Sequence, residues 1–111
     1  MKTITKLSAA GAAFVLIMAL GHAAPAAENW ENNCAKCHGA DGKGQTKAGK
    51  KLGLKDYTEA KVQADMKDAD MEKAITDGIF EKEKEKMKAY KGELAPAEIK
   101  ELVAYVRKFK A

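Results

Sequence analysis

Beyond residue 27, apolar residues recur at helical spacing in four places and nowhere alternate with polar ones as they would along a strand, so the pattern predicts an all-α domain. The clearest stripe is Ile99, Leu102, Val103, Val106 and Phe109 in "APAEIKELVAYVRKFK", where Pro96 suits a first helical turn and Glu98 the positive end of the helix dipole. Near the other end, Trp30 and Cys34 stand four apart on one face of a helix expected from about Glu28 to Cys37, with Gly39 as its stop. Between them, Thr58 is expected to cap a short helix carrying Val62 and Met66, and Asp68 another with Met71, Ala74 and Ile75 inward and Gly78 at its end. Such short helices need a shared surface to pack on, and the terminal stripe is expected to bury against the Trp30 face.

Two stretches lack that spacing. "GADGKGQTKAGKKLG" holds five glycines in 15 residues and is expected to be a loop laid over something else. In "EKEKEKMKAYKG" strict alternation puts opposite charges three apart but like charges four apart, so helix support largely cancels. At most a ragged turn is expected before Met87, then a loop.

The continuous apolar run from Leu7 to Leu20 differs from all of these. Lys2 and Lys6 precede it, and Ala24-Pro25-Ala26 supplies small residues in the A-x-A arrangement of a leader-peptide cleavage site. Its 14 residues are short against the roughly 20 that a spanning helix needs. The expected organisation is therefore a signal peptide over 1–26 and one domain over 27–111, exported and not inserted in a membrane after cleavage; cleavage after Ala23 is the alternative.

Without that leader, 18 basic face 16 acidic side chains, a balance that does not suggest nucleic acid as a partner. The lysines are unevenly placed. One group, Lys36 to Lys51, follows the first cysteine, and another, Lys82 to Lys91, surrounds Met87; together they would make a basic face, or else ordinary solvated surface. Large side chains are few: Trp30, Tyr57, Phe80, Tyr90, Tyr105 and Phe109 are the aromatics left. A domain of this size is marginal without a staple, metal or cofactor.

The chemistry is concentrated in "CAKCH". Cys34 and Cys37 lie about one helical turn apart, aiming both sulfurs to one side, and His38 follows directly. A closed zinc site would need a fourth ligand, which no remaining Cys or His supplies, so a carboxylate would have to complete it. A dithiol redox site has the right spacing but normally sits where a strand leads into a helix of an α/β fold, and no such context is found. A covalent haem site uses every feature: each thiol adds across a haem vinyl group and His38 ligates the iron. A large apolar cofactor would also fill a domain short of aromatics.

With His38 on one face of the iron, Met66, Met71 and Met87 are the candidates for the other. Met66 and Met71 fall on apolar helix faces and suit core packing. Met87 is an isolated apolar residue in a charged run, and it is the expected second ligand.

These residues resemble the small monohaem class I c-type cytochromes from about Trp30 to Phe109. The likeness rests on "CAKCHG", on "MKAY" beside the family's M-P-A-[YF], and on "EIKELVAYVRKF". It implies a small cytochrome c fold whose first and last helices cross at Trp30, Leu102 and Tyr105, with short helices and loops around one covalently bound haem c. Cofactor-binding residues would be Cys34, Cys37, His38 and Met87, the last two as iron ligands. The chain departs from the family in having Lys88 where proline is usual, and in lacking a proline loop after the motif; a carbonyl from Lys47 to Leu52 is expected to hold the second nitrogen of His38 instead.

The implied function is one-electron transfer in the periplasm, not enzymatic catalysis, with acidic-faced redox proteins as partners drawn to the lysines. If Met87 does not ligate, the open iron would instead suit small-ligand binding or weak peroxidase chemistry.

Overall fold

A computed structural model describes residues 23–110 of the chain. The expected leader lies outside the described residues except for its last few positions. Among the described residues, no helix is long and apolar enough to cross a membrane.

The first helical rod is continuous and has three parts: α1 (Ala26–Asn29), a π-helical stretch (Trp30–Cys34) and α2 (Ala35–His38). Then come α3 (Lys47–Leu52), α4 (Ala60–Asp65), α5 (Asp68–Asp77), a two-stranded hairpin of β1 (Ile79–Glu81) and β2 (Lys84–Met87), and α6 (Pro96–Arg107). The first and last helices pack together as their apolar faces require. Trp30, Ile99, Leu102, Val103 and Val106 are buried in one cluster with Cys34, Ile75 and Leu94, and Leu102 is the most enclosed at 1% exposure. Trp30 meets Tyr105 and Phe109 with ring centroids 5.6 and 5.0 Å apart.

Several local expectations are corrected. The glycine-rich stretch contains α3, which Thr46 caps by accepting from the Gly49 amide at 2.8 Å and which ends at Gly53 in the left-handed region. Thr58 does not cap α4, since its amide and hydroxyl both donate to Asp56 Oδ1, at 2.8 and 2.6 Å, and Glu59 precedes the helix. The buried residue of α4 is Gln63, while Val62 and Met66 are half-buried. Asp68 lies inside the first turn of α5 rather than before it.

The last correction is the hairpin. "EKEKEK" repeats with period two, which suits a strand as well as it frustrates a helix, and pairing sets Glu81 opposite Lys84 and Phe80 opposite Glu85. The two turn residues, Lys82 and Glu83, both have positive φ (52° and 67°). That is the hairpin turn that favours Asn-Gly, so this chain holds it against a side-chain penalty.

Polar clamps join the elements where apolar side chains run out. Gln63 donates to the carbonyls of Tyr57 (2.7 Å) and Val106 (2.9 Å). Arg107 answers from α6, with Nη1 on the Gln63 carbonyl and Nη2 on the Met66 carbonyl, each at 2.7 Å, and Nε on Asp68 at 2.9 Å. At the opposite end of α6, Glu98 accepts from the amides of Ala95 (2.9 Å) and Ala24 (3.1 Å) and from the Asn29 side chain (3.0 Å), and these donors hold its carboxyl below the usual range.

Two outcomes follow for stability. Replacing Lys82-Glu83 by Asn-Gly should raise the thermal midpoint, by about 1 kcal/mol of relieved turn strain, without altering the far-ultraviolet helix signal. Glu98→Gln should lower the midpoint at neutral pH. Because the folded carboxyl is depressed, its contribution is present above the unfolded pKa and lost as pH falls through the folded one, so melting curves of the two proteins should converge in acid.

Candidate haem site

The rod brings the motif to its end and the backbone then locks it there. In the π-helical stretch the Ala35 amide bonds back to the Trp30 carbonyl, a wide turn of the kind that often marks functional sites. After His38 the chain leaves the helix at Gly39, whose φ of 87° favours glycine. The Trp30 indole N–H donates to the Gly39 carbonyl at 3.0 Å in a buried bond, and the Gly44 amide donates to the His38 carbonyl at 2.8 Å. Trp30 therefore closes the motif as well as packing against α6.

The glycine-rich stretch does lie over something: the carbonyl side of the motif. Thr46 Oγ1 donates to the Cys37 carbonyl at 2.6 Å. Gly49 presses its backbone so close that a Cβ there would meet the Gly44 carbonyl oxygen and stand 2.6 Å from that of Cys37. Any side chain at 49 would push α3 off the motif.

Cys34 is buried and Cys37 half-buried, and they are not bridged. Burial, with the neighbouring Cys37 second, pushes the Cys34 thiol up to about 11. A nucleophilic dithiol is favoured by the reverse, a depressed thiol. Among the described residues no three Cys, His, Asp or Glu side chains are grouped to hold a metal ion, so the carboxylate that a zinc site would need is not supplied.

The His38 ring stacks on Tyr57 with centroids 5.2 Å apart and lies 5.6 Å from Trp30. Burial lowers its pKa, which favours the neutral imidazole that can ligate iron. Its Nδ1 is buried without a hydrogen-bond partner. No carbonyl between Lys47 and Leu52 accepts from it; those of Gly49 and Lys50 accept instead from the Leu54 and Gly53 amides at the end of α3.

Met87 ends β2, half-buried and packed on the core cluster. Gly78 lets the returning strand in: a Cβ there would lie 2.6 Å from the Met87 carbonyl oxygen. Three residues on, the Tyr90 hydroxyl donates to the Asn33 carbonyl at 3.1 Å, and its amide donates to the Ile75 carbonyl at 2.9 Å. The Met87 segment is thus moored to α5 and to the motif rod one residue before Cys34. Met66 and Met71 are half-buried against the same core cluster. Gln63 was missed by sequence reasoning, and Tyr90 entered it only as the aromatic that closes "MKAY", without its bond to the motif rod.

Two thiols, an imidazole with an unpartnered buried nitrogen, and a methionine on the segment that Tyr90 ties to their rod are groups that could hold a haem. Residues 21–106 match the family model described as cytochrome C oxidase, cbb3-type, subunit III. The chain belongs to this family of c-type cytochrome domains, which implies a haem c with iron. It is similar to the solved KustC0563 c-type cytochrome at 33% identity and a TM-score of 0.70, over 79% of this chain and 100% of that one. A tyrosine-to-phenylalanine mutant of Kustc0563 aligns at 33% identity and a TM-score of 0.67, over 78% and 100%. No curated protein matches the chain.

Two substitutions test how the motif is held. Trp30→Phe keeps the aromatic packing but strands the buried Gly39 carbonyl, and should cost about 1–3 kcal/mol in denaturant unfolding. Gly49→Ala should destabilise by about 1–3 kcal/mol through overpacking, with perturbed NMR shifts at His38; a neutral effect would mean α3 does not brace the motif.

Proposed function

We propose that the protein is an exported, periplasmic electron carrier, not an enzyme, holding a single haem c through thioethers from Cys34 and Cys37. His38 and Met87 would be its axial ligands. When bound, the haem iron supplies one-electron chemistry between ferric and ferrous states, at a potential that methionine ligation raises. The observation that carries this reading is the Tyr90–Asn33 bond, which brings the segment bearing Met87 onto the rod bearing Cys34, Cys37 and His38.

The chain's own residues serve that task by holding still. Trp30, Thr46 and Gly44 fix the carbonyls around Cys37 and His38, and Tyr90 fixes the methionine arm. A site whose ligands stay in place needs little reorganisation when charge changes. Lys88, where proline is usual, is held by Glu93 at 3.0 Å and lies 5.5 Å from the centre of the Tyr90 ring, which restrains the loop by other means. Arg107, the one arginine, is fully engaged with Gln63, Met66 and Asp68 and is not free to assist peroxide cleavage. The exposed lysines of the hairpin and of the stretch after His38 would steer acidic-faced redox proteins toward the haem edge.

Visible spectra of the purified protein, oxidised and reduced, should show low-spin haem that carbon monoxide leaves unchanged, with a weak far-red sulfur-to-iron band in the oxidised form. Met87→Ala should abolish that band and admit carbon monoxide. If the unaltered protein takes up carbon monoxide readily, the methionine ligation is wrong and small-ligand chemistry replaces electron transfer. Electron exchange with an acidic partner should slow as salt rises from about 0.01 to 0.1 M, since the screening length falls from ~30 to ~10 Å.

A further inference from the structure

The chain around residues 23–29 is built in a way that only one of the two leader cleavage positions would preserve. Ala24 is half-buried: its amide donates to Glu98 Oε2 at 3.1 Å and its carbonyl accepts from the Asn29 side chain at 3.3 Å. Asn29, only 5% exposed, uses the same side-chain nitrogen to reach Glu98 Oε2 at 3.0 Å. Pro25 sets the extended backbone before α1, and its carbonyl accepts the Asn29 amide at 3.0 Å, the first bond of the rod. Cleavage after Ala26 would delete Ala24, Pro25 and Ala26, removing the carbonyls that accept from the Asn29 side chain, the Asn29 amide and the Trp30 amide, and leaving Glu98 as the described acceptor of the Asn29 N–H groups.

Glu98 is also peculiar as an acceptor. Three N–H donors converge on it, yet no described ion pair gives its charge a cation. The Ala24 nitrogen is the one donor that processing could turn into a cation. The sequence permits this, because Gly21 and Ala23 flank His22 with the same small-x-small spacing that Ala24 and Ala26 provide around Pro25.

We propose that the leader is removed between Ala23 and Ala24, so that the mature chain begins at Ala24 with its α-ammonium seated on the Glu98 carboxylate. The proposal rests on the export reading above. The step is a hydrolysis by a leader peptidase that consumes one water: the Ala23 carbonyl carbon gains the hydroxyl and departs as a carboxylate, and the Ala24 nitrogen takes up protons to become the ammonium. A neutral amide donor at 3.1 Å is thereby replaced by a charge-assisted one at the same acceptor. Processing completes the joint between the first and last helices.

Intact mass and N-terminal sequencing of the haem-loaded protein recovered from the periplasm decide the first part. A chain beginning Ala-Pro-Ala-Ala-Glu-Asn-Trp is the expected result. A chain beginning at Ala27 overturns the proposal and leaves the export reading standing, whereas a chain that retains Met1 overturns both. The ammonium contact is tested by a cycle of melting midpoints in haem-loaded chains starting at Ala24 or at Ala27, each with Glu98 or Glu98→Gln. The substitution should lower the midpoint more in the Ala24 chain, and equal losses in the two backgrounds would overturn the contact.

Discussion

The buried indole N–H of Trp30 on the Gly39 carbonyl is the interaction on which the remaining architecture depends. It joins the two ends of the segment that contains both cysteines and the histidine, and it does so from a ring that is simultaneously the first helix's contact with Tyr105 and Phe109. One side chain therefore couples the geometry of the motif to the packing of α6. An aromatic without a donor would retain the second role and lose the first, which is why a tryptophan at this position does more than fill volume.

Around that joint, polar side chains take over where the apolar supply ends. Among the described residues, Trp30 is the one aromatic in the buried core cluster. Gln63 and Arg107 lash α4 and the start of α5 to the C-terminal part of α6, and Glu98 lashes the first turn to its N-terminal part. Most of these bonds end on backbone carbonyls or amides, so they fix where the chain runs without demanding close apolar complementarity. A small domain with few large apolar side chains can be held this way.

The sequence made the two crossing helices legible because their stripes are long enough for period to dominate: Ile99, Leu102, Val103 and Val106 all lie where spacing puts them. Cys34, Cys37 and His38 were legible as a set because chemistry limits what such a trio can do. The middle of the chain was less so. α3 is only six residues among glycines, and its justification is contact with the motif backbone, which no local pattern records. The hairpin was obscured because alternating lysine and glutamate carries no apolar face, so its period of two signalled nothing about burial. Gln63 was invisible for the opposite reason: a polar residue is buried there because one carbonyl six residues back and another 43 residues on meet it.

The bonds that frame His38 share a property of chain order. Those of Trp30 to Gly39 and Thr46 to Cys37 each span nine residues, and the stacking partner of the imidazole, Tyr57, belongs to the same half of the domain. The joints made by Tyr90 and by Glu98 with Asn29 span 57 and 69. Closing short loops costs little entropy, whereas the distant joints require most of the chain to be present. The structure thus separates into a nursery for the histidine, assembled from neighbours, and a later clasp that adds the methionine arm and the terminal helix. A newly made chain has the parts needed to shape the segment from Cys34 to His38 before its far end arrives to shut it.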